Sequence, residues 1–240
     1  MSTFKKSALF SAALLVLAGS VHAQKAGDNI LGVGIALIQP SASVGPLTSV
    51  GPAAGGFNAA TAGTSVSIDS VTTATIGFLH MFTDNIAAEL TLGVPPKLTV
   101  DLKTPNGGAT SHPGAATATE LTPAVVAKYL FNTPNDAWRP YLGLGVTYAS
   151  FSDVSPNRAD PLVNNLAGGG ASLSSSWAPV YNLGVIYNID QRWSINASVS
   201  YIPLKTTASF TGGPGTGGTT TTGDLTLNPT QYVIRVGYKF

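Results

Sequence analysis

Alternation of apolar with small or polar residues, at a period of two, is the feature of this sequence that most restricts its fold. From Ile86 to Leu102 every second residue is apolar, and the positions between them carry all the charges of the segment. The same alternation recurs at 193–201 and at 232–240. Because successive side chains of a strand point to opposite faces, each segment predicts a strand with one apolar face and one small or polar face.

The composition of the second face separates two kinds of β-protein. A soluble sandwich would bury its apolar face and carry many Lys and Glu residues on the other, but here that face is mostly Gly, Ser, Ala and Thr. Only 10% of the 240 residues are charged, against about 25% in an average soluble domain. An apolar exterior suits lipid and small residues suit a narrow interior. We therefore predict a transmembrane β-barrel, with the soluble sandwich as the alternative.

Eight such segments can be placed, and the connections between them alternate in length. Short turns are predicted at 83–85, 132–137 and 190–192, and long loops of low complexity at 43–67, 103–117, 154–172 and 210–223. The predicted strands are 29–42, 68–82, 86–102, 118–131, 138–153, 173–189, 193–209 and 224–240. This arrangement is typical of outer-membrane barrels. The predicted fold class is all-β: an eight-stranded antiparallel up-and-down transmembrane barrel with short periplasmic turns, long external loops and both termini periplasmic.

The start of the chain has the composition of a secretory signal. Two lysines precede an apolar run at 8–18, and Val21 and Ala23 supply the small residues that precede a cleavage site. We expect residues 1–23 to be a signal peptide and residues 24–240 to be the barrel domain. The chain has no cysteine, so no disulfide can stabilise the exported protein.

The end of the chain carries an assembly signal. Tyr238 and Phe240 end an alternating apolar run, which resembles the C-terminal signature that the barrel assembly machinery recognises in bacterial outer-membrane proteins. Outer-membrane lipid and this machinery are therefore expected partners.

Five stretches of the chain carry a resemblance to a known family. They are GFLHMFTDNIAAELTLG (77–93), ATELTPAVVAKYLF (118–131), WRPYLGLGVTYASF (138–151), SSSWAPVYNLGVIYNI (174–189) and VIRVGYKF (233–240). They resemble the OmpW family of small bacterial outer-membrane β-barrel proteins. The resemblance implies a location in the outer membrane of a Gram-negative bacterium and the passage of small hydrophobic molecules, so a small hydrophobic solute joins the expected partners.

Charged residues on the predicted inner face gather near the short turns. A charge inside a narrow barrel needs a partner because its desolvation is costly, so Glu89 is expected to pair with Lys128 on the adjacent strand and with Arg235 across the lumen. One interpretation is a structural ion-pair layer. Another is that the layer also blocks polar solutes beneath an apolar lumen. The apolar lumen positions are predicted to be Gly93, Ala124, Val180, Ile202 and Val233.

Prolines recur at a similar height in most of the predicted strands. Proline lacks the N–H that a β-ladder needs, so pairing either ends harmlessly at this height or leaves a weakened wall through which a solute exits sideways. Trp177 is either an interface anchor on the lipid face or, if the strand bulges at Pro179, a gate in the lumen. The residues assigned to this lateral opening or gate are Pro95, Pro96, Pro123, Trp177, Pro179, Pro203 and Pro229.

The predicted function is passive passage of small hydrophobic molecules through an apolar lumen with lateral exit to the membrane. The alternative is a structural or adhesive barrel whose external loops bind a partner while the lumen stays closed. An enzyme is not expected, because His80 and His112 are predicted at opposite ends without a Ser/Asp neighbourhood. No cofactor or metal site is predicted, and 12 basic against 11 acidic residues do not supply a nucleic-acid surface.

Overall fold

The computed structural model describes residues 24–105 and 110–240. The predicted signal peptide, residues 1–23, lies outside the described residues, as do residues 106–109 of one predicted loop. The described elements are, in chain order, β1 (Asn29–Gln39), β2 (Ser43–Val44), β3 (Thr48–Val50), α1 (Ala54–Thr61), β4 (Ser65–Ile68), β5 (Val71–Met81), β6 (Ile86–Gly93), β7 (Lys97–Thr104), β8 (Thr110–Leu121), β9 (Ala124–Leu130), β10 (Trp138–Pro156), α2 (Pro161–Ala167), β11 (Gly170–Leu173), β12 (Ser176–Asn188), β13 (Trp193–Tyr201), β14 (Lys205–Thr211), β15 (Thr220–Thr226) and β16 (Thr230–Lys239).

Eight antiparallel strands close into a barrel. Their order around the wall is β12, β13, β16, β1, β5, β6, β9 and β10, and β10 pairs back to β12. Each hairpin at one end is closed by one of the predicted short turns, for example Phe82 N–H donating to Ile86 O at 2.8 Å. The predicted eight-stranded transmembrane barrel is confirmed, and the soluble sandwich is excluded because the sheet closes on itself.

The barrel strands keep the predicted alternation between their two faces. On β16, Tyr232, Ile234 and Val236 are 48%, 52% and 45% exposed, whereas Arg235 between them is 5% exposed. Since the exposed face is the apolar one, the barrel presents to its surroundings the surface that lipid requires.

Strands also extend into all four segments predicted to be long loops. β4, β7, β8 and residues 150–156 of β10 form one sheet, and β11, β14, β15 and β2 form a second, which β3 joins through β15. These strands, with α1 and α2, make up the outer extension, at the end of the barrel opposite the short turns. Neither helix among the described residues is long and apolar enough to cross a membrane.

Prolines separate the barrel from the outer extension. Four of the predicted strands, 86–102, 118–131, 193–209 and 224–240, are each interrupted and form two strands. The interruptions contain Pro95 and Pro96 between β6 and β7, Pro123 between β8 and β9, Pro203 between β13 and β14, and Pro229 between β15 and β16. Pro179 differs, because it lies within β12 and opposite Val146 of β10.

Two clusters of buried apolar residues fill the interior at different heights. The lower cluster lies near the short turns and contains Ile30, Leu79, Met81, Ala87, Leu130, Tyr141 and Ile186. The upper cluster lies at the junction with the outer extension and contains Val126, Ala149, Ala178, Val180, Ile202, Leu204, Leu225 and Leu227. The candidate site is the space between and above these clusters.

Candidate functional site

Glu89 is the centre of a buried charged layer that crosses the barrel. Its Oε2 accepts a hydrogen bond from Lys128 Nζ at 2.8 Å, and its Oε1 accepts one from Arg235 Nη1 at 2.7 Å. All three side chains are buried. The structure therefore brings together the three residues that were predicted to pair, and the layer holds one carboxylate and two cations.

Neutral side chains add further hydrogen bonds to this layer. Lys128 Nζ also donates to Tyr141 Oη at 3.3 Å, and Arg235 Nη2 donates to Thr75 Oγ1 at 2.9 Å. Gly77 makes room for the guanidinium, because a Cβ there would lie 2.8 Å from Arg235 Nη1. The layer is thus a dense hydrogen-bonded floor rather than a loose pair of charges.

Arg139 is a further lumen cation, which the sequence analysis missed. It is fully buried at the short-turn end of β10, where Nη1 donates to Gln24 O and Nη2 donates to Asp84 O. Gln24 Nε2 in turn donates to Asn188 Oδ1 at 2.7 Å. Alternation with the outward Trp138 indicates that Arg139 faces inward, but the backbone carbonyls that bind Arg139 cannot be recognised from sequence. This network closes the barrel below the charged layer.

Directly above the charged layer lies a middle cavity of about 40 Å³. It is not the wholly apolar lumen that was predicted, because Asn182, Ser198, Ser200 and Gln231 also line it. Four of the predicted apolar positions, Ala124, Val180, Ile202 and Val233, do line this cavity. The fifth, Gly93, is not part of its lining, and the atom nearest to a Cβ built there is Ala74 O at 3.6 Å.

The wholly apolar space lies higher, in the outer extension. This outer cavity of about 90 Å³ is enclosed by both sheets and by α2, and Val66, Val100, Leu102, Leu166, Phe210 and Leu225 are among its walls. The upper cluster lies between the two cavities, since Ile202 of the cluster lines the middle cavity and Leu225 lines the outer one. The outer cavity could not be predicted from the sequence, because most of its walls lie in segments predicted to be long loops.

The barrel wall is interrupted between β6 and β9. Their register ends at Thr91 opposite Ala124, and the next backbone bond is from Glu120 N to Pro96 O at 3.0 Å. Between these points, residues 92–95 and 121–123 form no ladder with each other. These residues define the β6–β9 seam, which borders the middle cavity through Thr122 and lies next to Thr91 and Ala124, which line it as well.

The other proline junction has a continuous ladder. Ile202 N–H donates to Pro229 O at 3.1 Å, and Leu227 N–H donates to Leu204 O at 2.8 Å, so the wall at Pro203 and Pro229 stays closed. Of the prolines assigned to a lateral opening, the structure places Pro95 and Pro123 in the seam and Pro96 at its upper end. It does not bring Pro179, Pro203 or Pro229 there.

Trp177 lies on the outer face of the barrel. Its side chain is 70% exposed, and its ring centroid is 5.0 Å from that of Tyr148. The structure does not bring it into the lumen, and its position is that of an interface anchor. Tyr238 likewise packs outside against Trp193, at 5.0 Å between ring centroids, and Phe240 N–H donates to Asn29 O.

His112 has an acidic neighbour, contrary to the expectation from sequence. Its Nδ1 lies 2.7 Å from Asp160 Oδ2, and the other carboxylate oxygen accepts from Leu162 N and Val163 N at the start of α2. Although burial opposes ionisation, these hydrogen bonds hold the pKa of Asp160 below its ordinary value. The pair therefore fastens α2 over the outer cavity. Within the described ranges, no three His, Cys, Asp or Glu side chains are placed to hold a metal ion.

Comparisons with known proteins agree with this architecture. The chain is 31% identical over 242 residues to outer membrane protein W of Salmonella typhimurium, covering 100% of both chains, and 29% identical over 220 residues to that of Vibrio cholerae, covering 92% of both. The crystal structure of the outer membrane protein OprG from Pseudomonas aeruginosa matches with a TM-score of 0.78 and 28% identity, covering 92% of this chain and 99% of that one. The model of the OmpW family matches residues 25–240. The chain is therefore an outer-membrane barrel that belongs to the OmpW family.

Proposed function

We propose that this barrel carries small hydrophobic molecules passively from outside the cell into the outer membrane. The solute enters the outer cavity, passes the upper cluster to the middle cavity, and leaves sideways through the β6–β9 seam. Both termini face the periplasm and the outer extension faces the medium. The observation that carries this proposal is the break in the wall ladder beside the middle cavity, beneath a wholly apolar space.

Passage from end to end is disfavoured by the lower half of the lumen. Eight strands leave an interior that side chains fill, and here the charged layer and the Arg139 network fill it below the middle cavity. A hydrophobic solute crossing them would have to separate buried ion pairs from their partners, which is costly. The seam therefore offers the easier exit.

The energetics of the upper half favour an apolar solute. Transfer from water to an apolar cavity gains about 0.8 kcal/mol for each buried CH₂ group. One polar pair that lines the middle cavity is already hydrogen-bonded, since Asn182 Nδ2 donates to Ser200 Oγ at 2.9 Å. A solute that passes them strips few hydrogen bonds, and the acyl chains beyond the seam are apolar again. Each step is therefore favourable or nearly neutral.

The test is a disulfide that closes the seam. If the β6–β9 ladder continued past its last pair, Gly93 would lie opposite Thr122, and the chain has no cysteine of its own to interfere. Cells that lack the gene and regain it as the G93C/T122C variant should take up dodecane when the disulfide is reduced and lose that uptake when it is oxidised.

The matched control is S198C/V233C, which joins an existing ladder pair across the wall of the same cavity. Its oxidation should leave uptake unchanged, because no opening is closed. Equal uptake by the oxidised and reduced forms of the seam variant would contradict lateral exit. Equal uptake by cells with and without the protein would favour the structural or adhesive barrel.

A further inference from the structure

Glu120 is a buried acid that the proposed pathway has not yet used. It lies near the end of β8 on the lumen face, with 4% of its surface exposed. Among the described residues, its carboxylate has no hydrogen-bond or ion-pair partner. Its backbone N–H closes the upper end of the β6–β9 seam by donating to Pro96 O at 3.0 Å.

Glu120 lies close to the outer cavity, the middle cavity and the β6–β9 seam. Ala118, two residues earlier on the same face, lines the outer cavity, and Thr122, two residues later, lines the middle cavity and belongs to the seam. Its partner across the ladder, Phe151 of β10, packs against the upper cluster. Glu120 therefore lies between two residues of its own strand segment that line the outer and the middle cavity.

No other charge on the surrounding described elements compensates Glu120. Val100 and Leu102 line the outer cavity, so the charged residues that alternate with them on β7 point outward. The charged residues on the packed and facing elements are Lys97, Asp101 and Lys103 on β7, Asp153 on β10, Asp69 before β5, Lys205 on β14 and Asp224 on β15, and all except the half-buried Asp101 are exposed. Burial raises the pKa of Glu120 to about 7.

We propose that Glu120 makes the pathway selective among amphiphiles: it binds the ammonium head of an aliphatic amine and repels the carboxylate of a fatty acid. This inference rests on the proposed function. An uncharged hydrocarbon passes the residue without either effect. A buried carboxylate that lacks a cation is stabilised when a solute supplies one, and a second anion beside it is strongly opposed.

The charged layer reinforces this selectivity from below. It holds two cations, Lys128 and Arg235, against the single carboxylate of Glu89. An ammonium head that has passed Glu120 therefore meets an excess of positive charge towards the periplasm, whereas the seam next to Glu120 leads to lipid. The two features together direct an amine sideways.

The experiment compares uptake of dodecane, dodecylamine and dodecanoate by cells that carry the full barrel, each corrected for cells without it. The Glu120→Gln variant keeps the shape and removes the charge. Asp224→Asn is the matched control, since it removes one carboxylate from the exposed face of the outer extension. Uptake is measured at about pH 8 and about pH 6, on either side of the pKa of Glu120.

Wild-type cells and the Asp224→Asn control should prefer the amine to the carboxylate at the higher pH. The ratio of amine uptake to carboxylate uptake should fall about tenfold at the lower pH, because the ionised fraction of Glu120 falls about tenfold between the two pH values. The Glu120→Gln variant should give the low ratio at both pH values while dodecane uptake is unchanged. The wild-type pH dependence tests the inference even if the variant fails to assemble.

If wild-type cells take up dodecane but their ratio of amine uptake to carboxylate uptake does not depend on pH, the role of Glu120 would be overturned and the proposed function would stand. A ratio that stays the same in wild type and Glu120→Gln would do so as well. Absence of dodecane uptake would overturn the proposed function and this inference together.

Discussion

Removal of the single carboxylate in the charged layer should destabilise the barrel more than removal of either cation. In Glu89→Gln, Lys128 and Arg235 both stay buried without a counter-charge, and the new amide must turn an N–H towards one of them. In Lys128→Met, by contrast, Glu89 keeps Arg235, and Tyr141 Oη keeps its hydrogen bond to Asn196.

These two situations lead to different losses in the free energy of unfolding. Breaking a buried ion pair by removing one partner costs about 3–5 kcal/mol, and Glu89→Gln lies at the upper end because two cations lose their partner. Lys128→Met loses two hydrogen bonds from the ammonium, to Glu89 and to Tyr141, but also relieves the desolvation of the ammonium, so it should cost about 1 kcal/mol. The double variant should cost less than the sum of the single costs by about 1–2 kcal/mol, because the two side chains are in contact.

The assay is urea unfolding of the purified barrels in lipid, followed by the fluorescence of the three tryptophans and by the shift between folded and unfolded bands in electrophoresis. Equal costs for Glu89→Gln and Lys128→Met would refute this reasoning, as would a cost below about 1 kcal/mol for Glu89→Gln. Hydrocarbon uptake should survive in every folded variant, since the layer forms the floor of the pathway rather than part of it.

Five other outcomes are expected. Ala116→Trp should fill the outer cavity and reduce dodecane uptake, whereas Thr99→Trp, on the outward face of the adjacent strand, should not; uptake assays compare the two. Asp160→Ala should loosen α2 by about 1 kcal/mol in hydrogen exchange, because it removes the helix cap. Since the pKa of Asp160 is lowered on folding, its contribution is present above about pH 4 and lost as the pH falls below that value, so hydrogen exchange of α2 should accelerate in acid. Mass spectrometry of the outer-membrane protein should find Gln24 at its N-terminus, and an intact start of the chain there would contradict the predicted signal peptide. Deletion of Phe240 should lower the yield of heat-modifiable barrel in outer-membrane fractions, and a normal yield would remove its role in assembly.

The barrel could be predicted because lipid imposes a strict pattern on every strand that crosses it. A strand such as β16 must place Ile234 outside and Arg235 inside, so alternation in the sequence gives both the element and its orientation. The charged layer followed from the same rule, since a buried Glu89 needs cations and the adjacent strand offers Lys128. These inferences need only local pattern and the cost of burying a charge.

The outer extension could not be predicted in the same way, because water on its outer face imposes no strict alternation. Its strands, such as β15, are rich in Gly and Thr and owe their structure to pairing with distant segments, which overrides weak local preferences. The burial of Glu120 could not be predicted for a related reason. It falls at the start of a predicted strand, where an acid is expected to contact water, but only 4% of its surface is exposed.

The position of the seam depends on how prolines face one another rather than on how many there are. A proline removes a donor but still offers its carbonyl, so a ladder survives where the opposite strand supplies the N–H, as Ile202 does for Pro229. Between β6 and β9 both sides carry prolines: Pro95 and Pro96 on one strand face the stretch that contains Pro123 on the other. Donors are then missing on both sides at the same height, and the bonds that remain go to the outer neighbours, from Val94 to Ala74 O and from Tyr148 to Pro123 O. The two strands thus pair with their outer neighbours and form no ladder with each other along the seam, which lies beside the middle cavity and below Glu120.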